Sequence, residues 1–277
     1  MVRQLSAGFS WRISLGALTG GIAWIGLCDF IAAQGHLNVL YLIVLNGIYL
    51  IVITAILLRV ADADSRTKRE QLRQEQLTGA EVVRRLAQVA ALHDGDTALH
   101  CDRIGSLAFE LAREMGLASE KCEMLRHAAV LHDLGKVGVD RAILAKPGPL
   151  TQSEKEEVRR HVELGAAILE GARHPVLEVA LVAIRTHHEW WDGRGYPQGL
   201  TGNEIPIEGR IVAVCDVFDA LTTQRPYRQA LGPDVALEYL REASGVQFDP
   251  QIVDAFERCF PRLLEIYPQE VCKAIAL

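Results

Sequence analysis

His187-His188-Glu189-Trp190-Trp191-Asp192-Gly193-Arg194-Gly195-Tyr196-Pro197 closes an apolar, helix-like run from Val176 to Ile184 and opens a glycine-rich loop. Neighbouring side chains on a helix point about 100° apart, so His187 and His188 cannot both face one core. Both can reach a single site that lies at the helix end. Gly193, Gly195, Gly199 and Gly202 follow, among Pro197 and Pro206. Glycine lacks the Cβ that would block approach, so such a loop can bring its backbone close to a ligand. Taken alone, the stretch also reads as a polar helix end and a turn. The rest of the chain decides between the two.

Working outward, other metal-capable side chains fall in helical patterns. Asp96 and His100 are four apart and share a face if helical. Leu131-His132-Asp133-Leu134-Gly135-Lys136 presents His132, Asp133 and Lys136 from one helix end. His161 stands alone on a helix that starts at a capping box, Thr151-Gln152-Ser153-Glu154, and runs to Gly171. Asp216 and Asp219 interrupt the apolar run Ile211 to Leu221, where a carboxylate needs a partner, and a metal ion is a good one. Singly, each residue has a duller reading; a lone histidine such as His161 is more often at the surface.

Helix follows helix from about residue 81. Gly116 closes one and Ser119 caps the next. Pro175 opens another, and Ile207 to Leu221 and Pro233 to Ala243 continue the series. No run shows strand alternation and no repeat is visible, so the expected class is all-α.

Upstream, residues 13–33 and 37–58 are apolar. The second run carries no charge and is long enough to cross a hydrocarbon core of about 30 Å. The first is glycine-rich, with Asp29 near its end. Arg3 and Arg12 precede the pair, and Arg59, Arg66, Lys68, Arg69 and Arg73 follow it. The expectation is a transmembrane hairpin over 1–60 with both ends in the cytoplasm. A signal peptide or buried core helices are the competing readings. A helical linker over 61–80 follows, with an intermittent stripe of Leu72, Leu77, Val82, Val83, Leu86 and Val89. Dimer contact through that stalk is one use for it; a solvated spacer is the other. The catalytic unit is expected over 81–260, and the tail 261–277 is uninformative. A net charge of −6 gives no basic field for a nucleic acid polymer. Six scattered cysteines fit a reducing compartment rather than a disulfide framework or a zinc ribbon.

The ordered set His100, His132-Asp133, His161, His187-His188 and Asp216, with Gly195-Tyr196-Pro197, closely resembles the HD-GYP family, a branch of the HD superfamily of metal-dependent phosphohydrolases. Lys146 to Thr151, Asp216 to Leu221, Arg225-Pro226-Tyr227-Arg228 and Gln247-Phe248-Asp249-Pro250 match as well. The resemblance covers about residues 81–260. It implies a helical bundle holding two iron or manganese ions, sometimes three, and hydrolysis of the bacterial messenger cyclic di-GMP; the apolar hairpin, outside the resemblance, adds the expectation of an inner-membrane location. It implies His100, His132, Asp133, His161, His187, His188 and Asp216 as ligands, with Asp133 bridging. Lys136 would contact the scissile phosphate, and Tyr196, Arg225 and Arg228 would lie along the nucleotide.

The chemistry of the residues agrees. Imidazoles and carboxylates without a suitably spaced thiolate favour iron or manganese over magnesium. A metal pair can clamp both oxygens of an in-line phosphoryl displacement, with a metal-bridging hydroxide as nucleophile. Lys136 brings positive charge to the developing phosphorane. Arginine forks at 225 and 228 suit phosphate or guanine edges. Glu189 is expected to orient a ligating imidazole, with Asp219 likewise behind the ligands. Trp190 and Trp191 are expected to pack the loop. Asp96 either caps its helix or ligates a third ion, and the cap is favoured; on that reading linear pGpG accumulates first. Other readings are a phosphodiesterase for cyclic GMP-AMP and a non-catalytic nucleotide sensor that docks on partner proteins.

Overall fold

The computed structural model describes residues 21–27, 29–31, 33, 39–94, 98–224 and 229–266. Asp96, Arg225, Arg228, the connector 34–36 and the tail from 267 lie outside the described residues. The chain divides into two compact units, Met1–Leu77 and Thr78–Leu277.

The first unit contains α1 (Gly21–Ile31) and most of α2 (Val39–Asp94). Trp24 of α1 stacks on Tyr49 of α2 at 5.3 Å, and its indole N–H donates to Asn46 Oδ1 at 3.1 Å. Such a bond satisfies a polar donor between two apolar helices. The expected pair of spans is corrected here. Among the described residues one helix is long and apolar enough to cross a membrane, over Ile43–Gln71, with mean hydropathy 2.3. The glycine-rich first run yields only the shorter α1, and residues 13–20 lie outside the described residues.

Beyond the apolar stretch, α2 continues without a break, laced by exposed pairs four residues apart: Asp62–Arg66, Asp64–Lys68 and Glu81–Arg85. The expected stripe is also corrected. Val83, Ala87, Ala90 and Ala91 are buried, whereas Val82, Leu86 and Val89 face solvent. Small residues let α2 lie close to the domain it joins, and period alone could not choose between the two faces.

In the second unit follow α3 (Ala98–Glu114), α4 (Ser119–Ala129), a 3-10 turn (Leu134–Gly138), α5 (Arg141–Leu144), α6 (Gln152–Arg159), α7 (His161–Leu169), α8 (Pro175–Thr186), α9 (Ile207–Thr222), α10 (Pro233–Glu242) and α11 (Pro250–Leu264). No strand occurs among the described residues, only two isolated bridges. The architecture is all-α, as expected. Its main core joins α3, α4, α8, α9, α10 and α11 around Leu107, Leu111, Leu125, Ile211, Phe218 and Phe256. A second cluster seats the end of α2 against Leu131, Leu134, Leu169 and Ile184.

Local expectations are met or revised at named residues. Pro175 opens α8, and the Thr151–Glu154 capping box is formed. The capped helix stops at Arg159, and a new helix begins at His161 instead of continuing to Gly171. Ser119 does not cap α4: the N-cap position is Ala118, with no side-chain bond. The last helix runs through Pro261 to Leu264, past the boundary expected at 260.

Three glycines set the spacing that the site needs. A Cβ on Gly135 would sit 1.8 Å from the carbonyl oxygen of His161. One on Gly165 would press Gly135 from the other side, and one on Gly209 would meet Thr186 Oγ1 at 2.1 Å. The 3-10 turn therefore lies directly on α7, and α9 lies on the end of α8. Gly135→Ala must push these backbones apart, and about 3 kcal/mol of lost stability is expected, read as a lowered urea midpoint. Thr151→Ala should cost about 1 kcal/mol, a fall of about 2–4 °C in Tm by calorimetry.

Candidate metal centre

Each potential ligand is carried by a different local device. His100 stands in the first turn of α3. His132 and Asp133 lie between α4 and the 3-10 turn, with Asp133 as that turn's N-cap. His161 is the first residue of α7, His187 is the C-cap of α8, and His188 follows it. Asp216 is in the middle of α9. The close packing at Gly135 and Gly209 brings these ends together. The result is two groups, each with donor atoms within 4.8 Å of one another: Asp133, His161, His187 and His188, and His100, His132 and Asp216.

The imidazoles are aimed. His132 Nδ1 donates to the Ala129 carbonyl at 2.8 Å, His161 Nδ1 to that of Val158 at 2.7 Å, and His187 Nδ1 to that of Ala183 at 3.0 Å. A carbonyl only accepts, so each of these Nδ1 atoms carries a proton, and in the neutral ring Nε2 keeps its lone pair. His100 Nδ1 donates to the Asp219 carboxylate at 2.6 Å. The Nε2 atoms of His132, His161 and His187 are buried and make no hydrogen bond.

Asp133 spans the two groups. Its Oδ1 lies 3.5 Å from His161 Nε2 and 4.0 Å from His187 Nε2, and its Oδ2 lies 3.2 Å from His132 Nε2. Lys136 Nζ approaches the same Oδ2 at 2.8 Å. Burial opposes charge on Asp133, but Lys136 and His132 outweigh it and hold the carboxyl well below its ordinary range. Burial also opposes charge on His132, yet Asp133 and Asp216 raise its pKa well above the usual value. Burial pushes His187 down to about 3 and His188 well below the ordinary imidazole. The carboxylates thus create a strong demand for cation, which raises His132, while burial keeps His161, His187 and His188 neutral.

These residues fit a pair of divalent ions. Buried, aimed Nε2 atoms without hydrogen bonds are what a nitrogen site for a first-row metal requires. A cavity of about 20 Å³ bounded by His100, His132, Asp133 and Lys136, among others, has room for one small body. Among the described residues, the seven side chains expected as ligands converge.

The supporting residues differ from expectation. Asp219 does stand behind His100. Glu189 does not orient an imidazole: its buried carboxylate accepts the backbone N–H groups of Gln198 at 2.7 Å and Leu200 at 3.1 Å, so it ties down the Gly-Tyr-Pro loop. Gly195 allows this closure, since a Cβ there would meet the Trp190 nitrogen at 2.2 Å. Tyr196 stacks on His188 at 4.6 Å, and the Arg159 guanidinium sits over its ring at 4.7 Å. The ring braces a candidate ligand. Trp190 and Trp191 are half-buried, with Arg194 and Arg210 over their rings, and the Trp191 N–H donates to the Gln247 carbonyl. That docks the loop on the segment before α11, where Asp249 caps the helix and pairs with Arg210 at 2.6 Å.

Two residues near the centre were not anticipated from sequence. Arg103 binds Asp219, and Arg159 lines a cleft of about 200 Å³ with Glu156, Arg160, Glu163, Tyr196 and Pro197. The only sequence signal for Arg103 is its place three residues after His100 on α3.

The chain matches the HD domain family over residues 65–252. It is 43% identical over 190 residues to the cyclic di-GMP phosphodiesterase response regulator RpfG of Xanthomonas campestris pv. campestris, covering 68% of this chain and 50% of that protein. It is 39% identical over 177 residues to the 3'3'-cGAMP-specific phosphodiesterase 2 of Vibrio cholerae, covering 64% of this chain and 34% of that protein. It therefore spans half or less of the length of these relatives. In fold it is similar to a crystal structure of a cyclic GMP-AMP specific phosphodiesterase of V. cholerae, with TM-score 0.54 and 20% identity, covering 71% of this chain and 53% of that one. The chain belongs to the HD domain family, in the HD-GYP form that His132-Asp133 and Gly195-Tyr196-Pro197 spell.

Proposed function

We propose that this protein is a metal-dependent phosphodiesterase that opens cyclic di-GMP to linear pGpG. The observation that carries the reading is the pair of adjacent donor groups with the Asp133 carboxylate reaching both. Seven intact donors also weigh against a quiet nucleotide sensor.

When bound, two divalent ions, iron or manganese, supply Lewis acidity and an activated water at neutral pH. The protein supplies placement. His161, His187 and His188 hold one side of the centre, His100, His132 and Asp216 the other, and Asp133 joins them. Lys136, already at the rim of the centre against Asp133, is placed to meet a phosphate oxygen as negative charge grows on it. The loop tied by Glu189 holds Tyr196 over His188 and closes that side to water. Arg225 and Arg228 extend the reading toward the nucleotide's phosphate or guanine edges. For Asp96, which lies outside the described residues, the sequence favours a helix cap over a third ligand, and a two-ion centre with accumulating pGpG is proposed on that basis.

Cyclic GMP-AMP is the second substrate to weigh, because a relative at 39% identity bears that specificity in its name. Both substrates offer the same phosphodiester, and the ligand set does not separate them. We further propose that the uncharged first part of Ile43–Gln71, up to Leu58, tethers the catalytic domain to the inner membrane, with the basic stretch Arg59 to Arg73 that follows on the cytoplasmic side. Pairing of two copies through α2 belongs to the same proposal.

Manganese-loaded protein incubated with each cyclic dinucleotide, with products resolved by chromatography, should turn cyclic di-GMP into pGpG. Faster loss of cyclic GMP-AMP would reassign the substrate, and loss of neither would end the enzymatic reading. Asp133→Ala should lower kcat by about 100-fold or more and empty both ion positions, measured by steady-state kinetics and elemental analysis. Full turnover by that variant would defeat the assignment of Asp133.

A further inference from the structure

Arg103 has no place in the functional reading above, yet it sits at one of the centre's supports. It follows His100 by three residues on α3, so the two share a face of that helix. Its Nε donates to Asp219 Oδ1 and its Nη2 to Oδ2 at 2.9 Å. The same Nη2 donates to Thr223 Oγ1 at 2.9 Å, just past the end of α9. Asp219 is wholly buried, and the Arg103 side chain is 12% exposed. A buried carboxylate needs a paired cation. The planar two-pronged contact also fixes the plane of the carboxylate, which a lysine ammonium cannot do.

That carboxylate is the acceptor for His100 Nδ1–H. The three groups form a chain: Arg103 fixes Asp219, Asp219 fixes the tautomer and ring of His100, and the ring carries Nε2 toward His132 and Asp216. The Nδ1 atoms of His132, His161 and His187 bond instead to main-chain carbonyls three or four residues back. A main-chain carbonyl in a helix end does not swivel when a distant side chain is lost. The Asp219 carboxylate can.

We propose that Arg103 is a positioning residue for one of the two ions. Through Asp219 it sets His100, and with it the affinity of the His100–His132–Asp216 group, leaving the Asp133–His161–His187–His188 group alone. This rests on the reading that each group holds an ion.

The test uses the full chain, stripped of metal and titrated with Mn²⁺ by calorimetry, with bound metal counted by elemental analysis. The unaltered chain should take up about two ions. Arg103→Ala should keep one tight ion and weaken the other about 10- to 100-fold. Arg103→Lys keeps the charge and the stem but not the fork; it should weaken the same ion by a smaller factor, and it decides the matter if the alanine variant does not fold. In a His100→Ala background, Arg103→Ala should weaken that ion no further, because it acts through His100. Two ions at unchanged affinity in the Arg103 variants would overturn the inference while leaving the two-ion reading intact. Equal weakening of both ions would overturn it too, since that marks a general packing role. Fewer than two ions on the unaltered chain would remove the two-ion reading and this inference together.

Discussion

The structure turns on three imidazole nitrogens, the Nε2 atoms of His132, His161 and His187, which are buried beside carboxylate oxygens and make no hydrogen bond. Leaving a buried polar atom unpaired costs about 1–3 kcal/mol. The folded domain tolerates three such atoms within a few ångströms because local geometry leaves them no alternative. Each Nδ1 is spent on a carbonyl of its own segment, and each ring is walled in by helices. The carboxylates of Asp133 and Asp216 then make the space between them favourable for a cation, which is why His132 holds a proton more strongly than an ordinary histidine.

That arrangement depends on how near the backbones come. Asp133 meets His161 because the turn after it lies on α7, and the turn can lie there because Gly135 and Gly165 have no side chains. Asp216 shares the space with His132, and Gly209 lets α9 close on Thr186, next to His187. The Gly-Tyr-Pro loop shows the same constraint once more: Gly195 permits the chain to fold back on Glu189 and Trp190, and Glu189 then holds the loop by its backbone N–H groups. The conformation places Tyr196 against His188 and so ties the loop's position to the centre.

Much of this was legible in the residues. The all-helical class followed from the caps and periods, and the seven donors were implied by the family resemblance that their motifs carry; all seven converge. What escaped has a common cause. The role of Glu189 depends on the backbone of Gln198 and Leu200, whose direction is known only once the loop is closed. Arg103 binds Asp219 across 116 residues, a separation at which helical spacing says nothing. The buried face of α2 is the one with alanines rather than the one with larger side chains, because close approach of helices is limited by size before it is driven by hydrophobicity. The break at Arg160 was hidden by a sequence with helix-forming residues on both sides.

The two donor groups are also built from different kinds of support. In the group of Asp133, His161, His187 and His188, the rings of His161 and His187 take their aim from carbonyls within four residues, so their direction is fixed once the local helix ends form. The group of His100, His132 and Asp216 is drawn from three distant segments, and His100 takes its aim from a side chain on another helix. Its geometry therefore exists only when α3 and α9 are packed together, through the core that joins Leu107 and Leu111 to Ile211 and Phe218. A structure in which α3 loosens from α9 keeps the first group's aimed rings and loses the second group's shape. The carboxylate of Asp133 touches both groups, so the demand for cation is shared, but the capacity to meet it on the second side is a property of the tertiary fold and not of any one segment.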